Sequence, residues 1–270
     1  MMPTWFEYEF MRNAFVAALL IAPLFALLGT VVVSNRMVFF SDVLGHSSLT
    51  GIALGCLLGF ADPLWAVAIF AVILAVLINF CKARTRASAD TVLGVFFAVV
   101  VAVGIVILSK AGGFSKYSGY LIGDILAVNK GHLLVLGSLL GVVAVYWFFA
   151  ANALVLMTID QSLARTRRIP VFWLETSFSV VLALVVAVSI KLVGILIINS
   201  LLVLPVAAAR LVSRKFSDYT CGAVIISVVS SVSGLICSYY WGTASGATIV
   251  LFSAAFYGVI AGISIFSKRV

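Results

Sequence analysis

Within SDVLGHSSLTGIALG, Asp42 and His46 stand four residues apart, and Thr50 follows four further on. At helical pitch successive members of this trio are offset by only about 40°, so all three share one face. A carboxylate and an imidazole so placed can give one oxygen and one nitrogen ligand to a shared divalent cation. Two plainer readings compete with that one. Asp42 can cap its helix, and His46, one of two histidines with His132, can hydrogen-bond to a neighbouring helix. A second polar set lies in KLVGILIINSLLVLPVAAARLVSR, where Asn199 and Ser200 fall mid-segment and Pro205 frees a backbone carbonyl one turn earlier. That pattern gives a kinked helix with a polar lining or, more simply, hydrogen bonds between helices.

Other chemistry is missing from the chain. It contains no GxxxxGK[ST] phosphate loop, no HExxH and no GxSxG. An arginine repeat of the voltage-sensor kind and a TVGYG filter are also absent. Cys56, Cys81, Cys221 and Cys237 form no CxxC pair and read as small buried hydrophobes.

The elements that must position these residues follow from composition. Of 270 residues 64% are hydrophobic and 10% charged, against about 45–50% and about 25% in a soluble domain. Such a chain cannot cover a water-facing surface, which excludes a soluble globular enzyme. The net charge of +8 is dispersed in small groups between apolar runs, so it encodes membrane topology and not a nucleic-acid-binding patch. The reading is an all-α polytopic membrane protein, a single transmembrane domain over residues 1–270. Nine apolar segments of about 20 residues each can be drawn: 11–33, 40–60, 64–81, 91–108, 132–157, 171–190, 193–212, 219–240 and 246–266. The first is expected to persist as a span, since its leading flank carries Glu7 and Glu9 and no base. Within the second, Gly51, Gly55 and Gly59 form a small-xxx-small repeat that predicts close packing against a neighbour.

Alternate connections differ in basic content. Arg36, Lys82, Arg84, Arg86, Arg165, Arg167, Arg168, Arg210, Arg214, Lys215, Lys268 and Arg269 fall on one side; Arg12, Lys110, Lys116, Lys130 and Lys191 fall on the other. The richer side is expected to be cytoplasmic, which puts the N-terminus outside and the C-terminus inside. Two connections are long. Residues 109–131 turn from Gly- and Ser-rich to apolar and suit either a re-entrant or interfacial element or a surface loop. Residues 158–170 (TIDQSLARTRRIP) predict a short helix, with Asp160 as N-cap and Pro170 opening the next span. That helix is either something for a partner to grip or an ordinary basic loop.

Taken together, NRMVFFSDVLGHSSLTGIALG, ADTVLGVFFAVVVAVGIVIL, GYLIGDILAV, TIDQSLARTRRIP, VGILIINSLLVLPVAAARL and SGATIVL resemble, in order, segments of the membrane permeases of zinc- and manganese-type ABC importers. The resemblance runs from about Phe10 to Phe266. It implies a type II ABC importer-like bundle that pairs with a second copy of itself. It also implies two cytoplasmic ATP-binding subunits, an extracytoplasmic metal-binding protein, and a setting in the bacterial cytoplasmic membrane amid lipid. Residues 158–170 resemble the coupling helix that receives the ATPase movement, with Asp160, Gln161, Ala164, Arg165, Arg167 and Arg168 as its contact residues. Asp42 and His46 match positions that line or gate the metal path, and Thr50, Asn199 and Ser200 are candidates for its lining. Thr50 and Ala244 stand where relatives often carry Pro, and Asn199 and Ser200 where they are commonly apolar.

What the resemblance implies is alternating access of a transported divalent ion, zinc first, then manganese or iron, with no permanently bound cofactor and no catalysis by this chain. A two-ligand site suits release, since a closed four-ligand cage would hold zinc too tightly. A histidine in the path predicts that transport falls in acid. The rival readings are an ion-coupled carrier or channel working without an ATPase and, less supported by the residues present, an intramembrane enzyme.

Overall fold

The computed structural model describes residues 4–60, 63–110 and 123–267, and among these there is no strand. The α-helices are α1 (Glu9–Ser34), α2 (Val38–Leu57), α3 (Pro63–Arg84), α4 (Ala89–Lys110), α5 (Lys130–Ile159), α6 (Gln161–Thr166), α7 (Val171–Val193), α8 (Ile195–Val212), α9 (Phe216–Trp241) and α10 (Ser245–Ser267). Short 3₁₀ turns occupy Thr4–Phe6 and Ile125–Ala127. Eight of these helices are long and apolar enough to cross a membrane. The exception among the long helices is α2, whose 20 residues include Ser41, Asp42, His46, Ser47, Ser48 and Thr50. Residues 111–122, within the stretch expected to hold a re-entrant or interfacial element, and the basic residues Lys116, Lys268 and Arg269 lie outside the described residues.

The chain divides into two compact units. One comprises the described residues of Met1–Asn35, Asp124–Phe149 and Leu192–Val270. In it α1 packs on α8 and α9, α8 on α9 and α10, and α9 on α10. Small residues permit the close approaches: a Cβ added at Gly234 would lie 2.6 Å from Ile249 Cα. Hydroxyls supply interhelical bonds where water cannot. The Ser227 hydroxyl donates to the Ala22 carbonyl at 3.0 Å, and that of Ser253 to Ser230 Oγ at 3.0 Å. Pro23 and Pro205 sit inside α1 and α8. On α5, Leu134, Phe148 and Phe149 remain exposed, as a lipid-facing helix requires.

The other unit comprises the described residues of Arg36–Gly123 and Ala150–Lys191. Here α2 is clamped between α3 and α4. The glycine repeat serves this in part. A Cβ at Gly51 would come 2.8 Å from Val67 Cα, whereas Gly59 lies past the end of α2 at φ 72°, with no neighbour within 4 Å of a built Cβ. Gly59 is therefore a turn glycine and not a packing one, because α2 stops at Leu57, three residues before the apolar pattern ends. Polar residues on the buried faces of α2 satisfy themselves: Ser41, Ser47 and Ser48 each donate to the carbonyl three residues back at 2.7 Å.

Candidate functional site

The clamp leaves one stripe of α2 uncovered, and Asp42 and His46 lie on it. Their side chains are 39% and 41% exposed, with Asp42 Oδ1 and His46 Nε2 3.7 Å apart. The Phe97 ring from α4 meets the imidazole edge to face at 5.4 Å and also stacks at an angle on Phe39, which limits how the imidazole can turn. An ion about 2.1 Å from each of these two atoms would see them about 120° apart, an angle that zinc-like coordination accepts. Among the described residues no group of three or more His, Cys, Asp and Glu side chains converges.

Thr50 continues the sequence stripe, but the structure buries it. It is 1% exposed, and its hydroxyl donates to the Val100 carbonyl of α4 at 2.6 Å. Asn199 and Ser200 belong to the other unit, on α8. There Ser200 is buried and donates to the Ile197 carbonyl at 3.2 Å, and Asn199 is half-buried. Asp42 and His46 are thus the only members of the predicted set whose side chains meet among the described contacts.

The short helix expected between residues 158 and 170 forms as α6. Asp160 Oδ1 accepts from the Ser162 amide and the Ser162 hydroxyl, both at 2.7 Å, and from the Leu163 amide at 3.4 Å, which is the N-cap geometry. These bonds, the Ser162 hydroxyl first, hold the Asp160 carboxyl below its ordinary value. The helix ends where Arg168 takes φ 57° and the Ile169 amide reaches back to the Ala164 carbonyl at 3.1 Å. Ala164 is fully buried, while Arg167 and Arg168 point outward. The side chains of Gln161 and Arg165 lie outside the described ones.

One constellation escapes the sequence patterns. Lys82 Nζ and Glu175 Oε1 are 2.6 Å apart, joining the end of α3 to the start of α7. Lys82 reads in sequence as one of a topology-setting basic cluster. Glu175, an acid inside an otherwise apolar segment, was the available signal, since a charge at that depth calls for a partner.

These helices, their exposed apolar flanks and the polar stripe set into one unit define a multi-pass α-helical membrane protein of transporter type. The chain belongs to the ABC 3 transport family, whose model matches residues 7–263. It is 32% identical over 248 residues to the high-affinity zinc uptake system membrane protein ZnuB of Haemophilus influenzae, covering 92% of this chain and 95% of that one. It is 28% identical to the manganese transport system membrane protein MntC of Halalkalibacterium halodurans, over 94% and 87% of the two chains. The structure of PsaBC from Streptococcus pneumoniae in complex with Fab aligns with a TM-score of 0.81 at 24% identity, over 94% of this chain and 91% of that one. That last likeness concerns the fold alone.

Proposed function

We propose that this chain is the permease subunit of an ATP-driven importer that moves a divalent transition metal into the cytoplasm, zinc in first place and manganese in second. The observation that carries this reading is the Asp42–His46 pair at 3.7 Å on a clamped helix, in a chain 32% identical to a zinc-uptake permease. Two ligands in a fixed stripe hold a borderline metal long enough to select it and weakly enough to pass it on. In this reading α2 is the ninth crossing, the N-terminus lies outside, and the basic ends of α3 and α8 face the cytoplasm. Two copies of the chain enclose the path, an extracytoplasmic protein delivers the ion, and two ATP-binding subunits grip residues 158–170. Closure of those subunits pushes α6, and the bundle turns its opening from outside to inside.

The test is uptake of zinc, manganese and ferrous iron into proteoliposomes holding the full complex, with ATP hydrolysis read on the same samples. Asp42→Ala and His46→Ala are expected to lose uptake of the preferred ion while the ATPase subunits remain bound. Normal uptake in both variants would return the pair to capping and packing. Metal uptake by the chain alone, without any ATPase, would replace the importer with a channel or ion-coupled carrier.

A further inference from the structure

Lys82 and Glu175 come from helices about ninety residues apart in the chain, and each side chain keeps only 20% or 25% of its surface exposed. A pair this withdrawn is little screened by salt. Near it on both helices stand further buried polar groups. Asn79, three residues before Lys82, is 3% exposed, and neither atom of its amide has a partner among the described residues. Thr176, beside Glu175, and Ser179, four residues after it, are 8% and 0% exposed, and their hydroxyls are unpartnered in the same sense. Residues three or four apart share a helix face, so Asn79 continues the Lys82 face of α3 and Ser179 the Glu175 face of α7. The pair lies at the C-terminal end of α3 and the N-terminal end of α7. Both polar stripes therefore run inward from it, toward the middle of the spans. Static packing gives no reason for this, because buried hydrogen-bonding groups are ordinarily satisfied and an apolar side chain would cost less in these places.

We infer that Lys82 and Glu175 are positioning residues of the transport cycle. They form a latch that carries the movement of α6 to the metal-holding helix α2, and Asn79 is the alternative partner that Glu175 meets when α7 slides along α3. The inference rests on the importer reading above. The contacts run unbroken within one unit. After α6 the chain turns at Arg168, and α7 starts at Val171, which places Glu175 in its second turn. Glu175 is tied to Lys82 on α3, α3 meets α2 where Val67 abuts Gly51, and α2 carries Asp42 and His46. From Lys82 to Asn79 is three residues, about 4.5 Å of helical rise, comparable to the one-turn steps by which packed helices change register. Glu175 would then exchange an ammonium partner for an amide donor without being left bare in the membrane.

The experiment uses the full complex in liposomes, with zinc uptake, manganese uptake and ATP hydrolysis measured together. Wild type must import one of the two ions; if it imports neither, the importer reading fails and the latch with it. Given import, Lys82→Met and Glu175→Gln are expected to hydrolyse ATP within about twofold of wild type while uptake falls about tenfold or more. The charge-swapped Lys82→Glu/Glu175→Lys protein is expected to recover uptake to within about threefold of wild type, as coupled pairs do. Asn79→Leu is expected to raise the melting temperature of the complex and still lower uptake, a split that a packing role does not produce. Unchanged uptake per ATP in both single variants would overturn the latch. So would a more stable Asn79→Leu complex with full uptake, or a swapped protein that assembles and stays uncoupled. If the single variants fail to assemble, the swap and Asn79→Leu decide the matter.

Discussion

Replacing Gly104 by Ala tests whether the α2–α4 clamp is what fixes the Asp42–His46 stripe. A Cβ built there would lie 2.5 Å from Thr50 Oγ1 and 3.2 Å from both Thr50 Cα and its amide nitrogen. The first contact can be relieved by rotating the hydroxyl, which breaks its 2.6 Å bond to the Val100 carbonyl. The other two are to backbone, so the helices must part by a few tenths of an ångström. Overpacking of this kind costs about 1–3 kcal/mol, and the lost interhelical hydrogen bond adds about 0.6 kcal/mol, the average within membranes. The lower figure suits this bond, because Val100, as a helical carbonyl, also faces the Gly104 amide and is not stranded when Thr50 leaves. At roughly 2–4 °C per kcal/mol for a chain of this size, Gly104→Ala should lower the apparent melting temperature of the purified protein by roughly 3–14 °C. Thr50→Val alone should lower it by no more than about 3 °C. The two changes should not add. Thr50→Ala removes the atom that clashes hardest, so the double variant with Gly104→Ala should melt no lower than Gly104→Ala alone. The assay is a thermal melt of wild type, the single variants Gly104→Ala, Thr50→Val and Thr50→Ala, and the Thr50→Ala/Gly104→Ala double variant, followed by tryptophan fluorescence and by loss of the monodisperse chromatographic peak. If Gly104→Ala melts with wild type, or if the double variant shows the full sum of the two losses, Thr50 and Gly104 do not form the clamp.

Two further outcomes follow from backbone and cap geometry. The carboxyl of Asp160 is held below its ordinary value, chiefly by the Ser162 hydroxyl and then by the Ser162 and Leu163 amides. A lowered folded-state value contributes stability that is present above the unfolded value and lost as pH falls through the folded one. Amide exchange at Ser162 and Leu163 should therefore be protected at neutral pH, lose that protection only in acid below the ordinary carboxylate range, and be fast at every pH in Asp160→Ala. Gly194, which begins α8, sits at φ 86° and ψ 157°, a region essentially reserved for glycine. Gly194→Ala should cost about 1–3 kcal/mol and Gly242→Ala, in the left-handed helical region at φ 62°, about 1–2 kcal/mol; equal melting temperatures for wild type and Gly194→Ala would show that the bend is not needed.

Helix positions are legible in the sequence because each apolar run is cut off by charge or by Gly and Pro. The segment drawn as 171–190 is Val171–Val193, and that drawn as 64–81 is Pro63–Arg84. The Asp160 cap is legible for the same local reason, since everything it touches lies within three residues. What cannot be read locally is which faces meet. Thr50 shares a stripe with Asp42 and His46 by spacing, yet its hydroxyl is claimed by a carbonyl fifty residues away. Gly59 repeats the spacing of Gly51 and Gly55, but the helix ends before reaching it. Glu175 belongs to no motif, and only the fold brings Lys82 to it. The pairing of α1 with α8 and α9 is equally invisible, because periodicity says that a face is buried and not what buries it.

The helix that carries the Asp–His pair is the one long helix not apolar enough to count as a membrane span among the described residues, and it is also among the best packed; these facts are connected. A membrane helix can afford hydroxyls on buried faces only if they find acceptors nearby, and Ser41, Ser47 and Ser48 find them in their own backbone. That leaves the flanks of α2 small and smooth, so Val67 can seat over Gly51 on one side and Gly104 over Thr50 on the other. With both flanks occupied, α2 has little freedom to rotate, and its remaining stripe presents Asp42 and His46 at a fixed 3.7 Å. A stripe fixed in this way can change what it faces only if the helices clamping it move with it. In the proposed cycle α2, α3 and α4 therefore travel as one body, and the push from α6 has to enter through a link to α3 and not through α2 itself. Lys82 and Glu175 join α3 to α7 by a 2.6 Å side-chain bond, which is why the uptake-per-ATP ratio of their variants, more than any loss of stability, bears on how the Asp42–His46 stripe is moved.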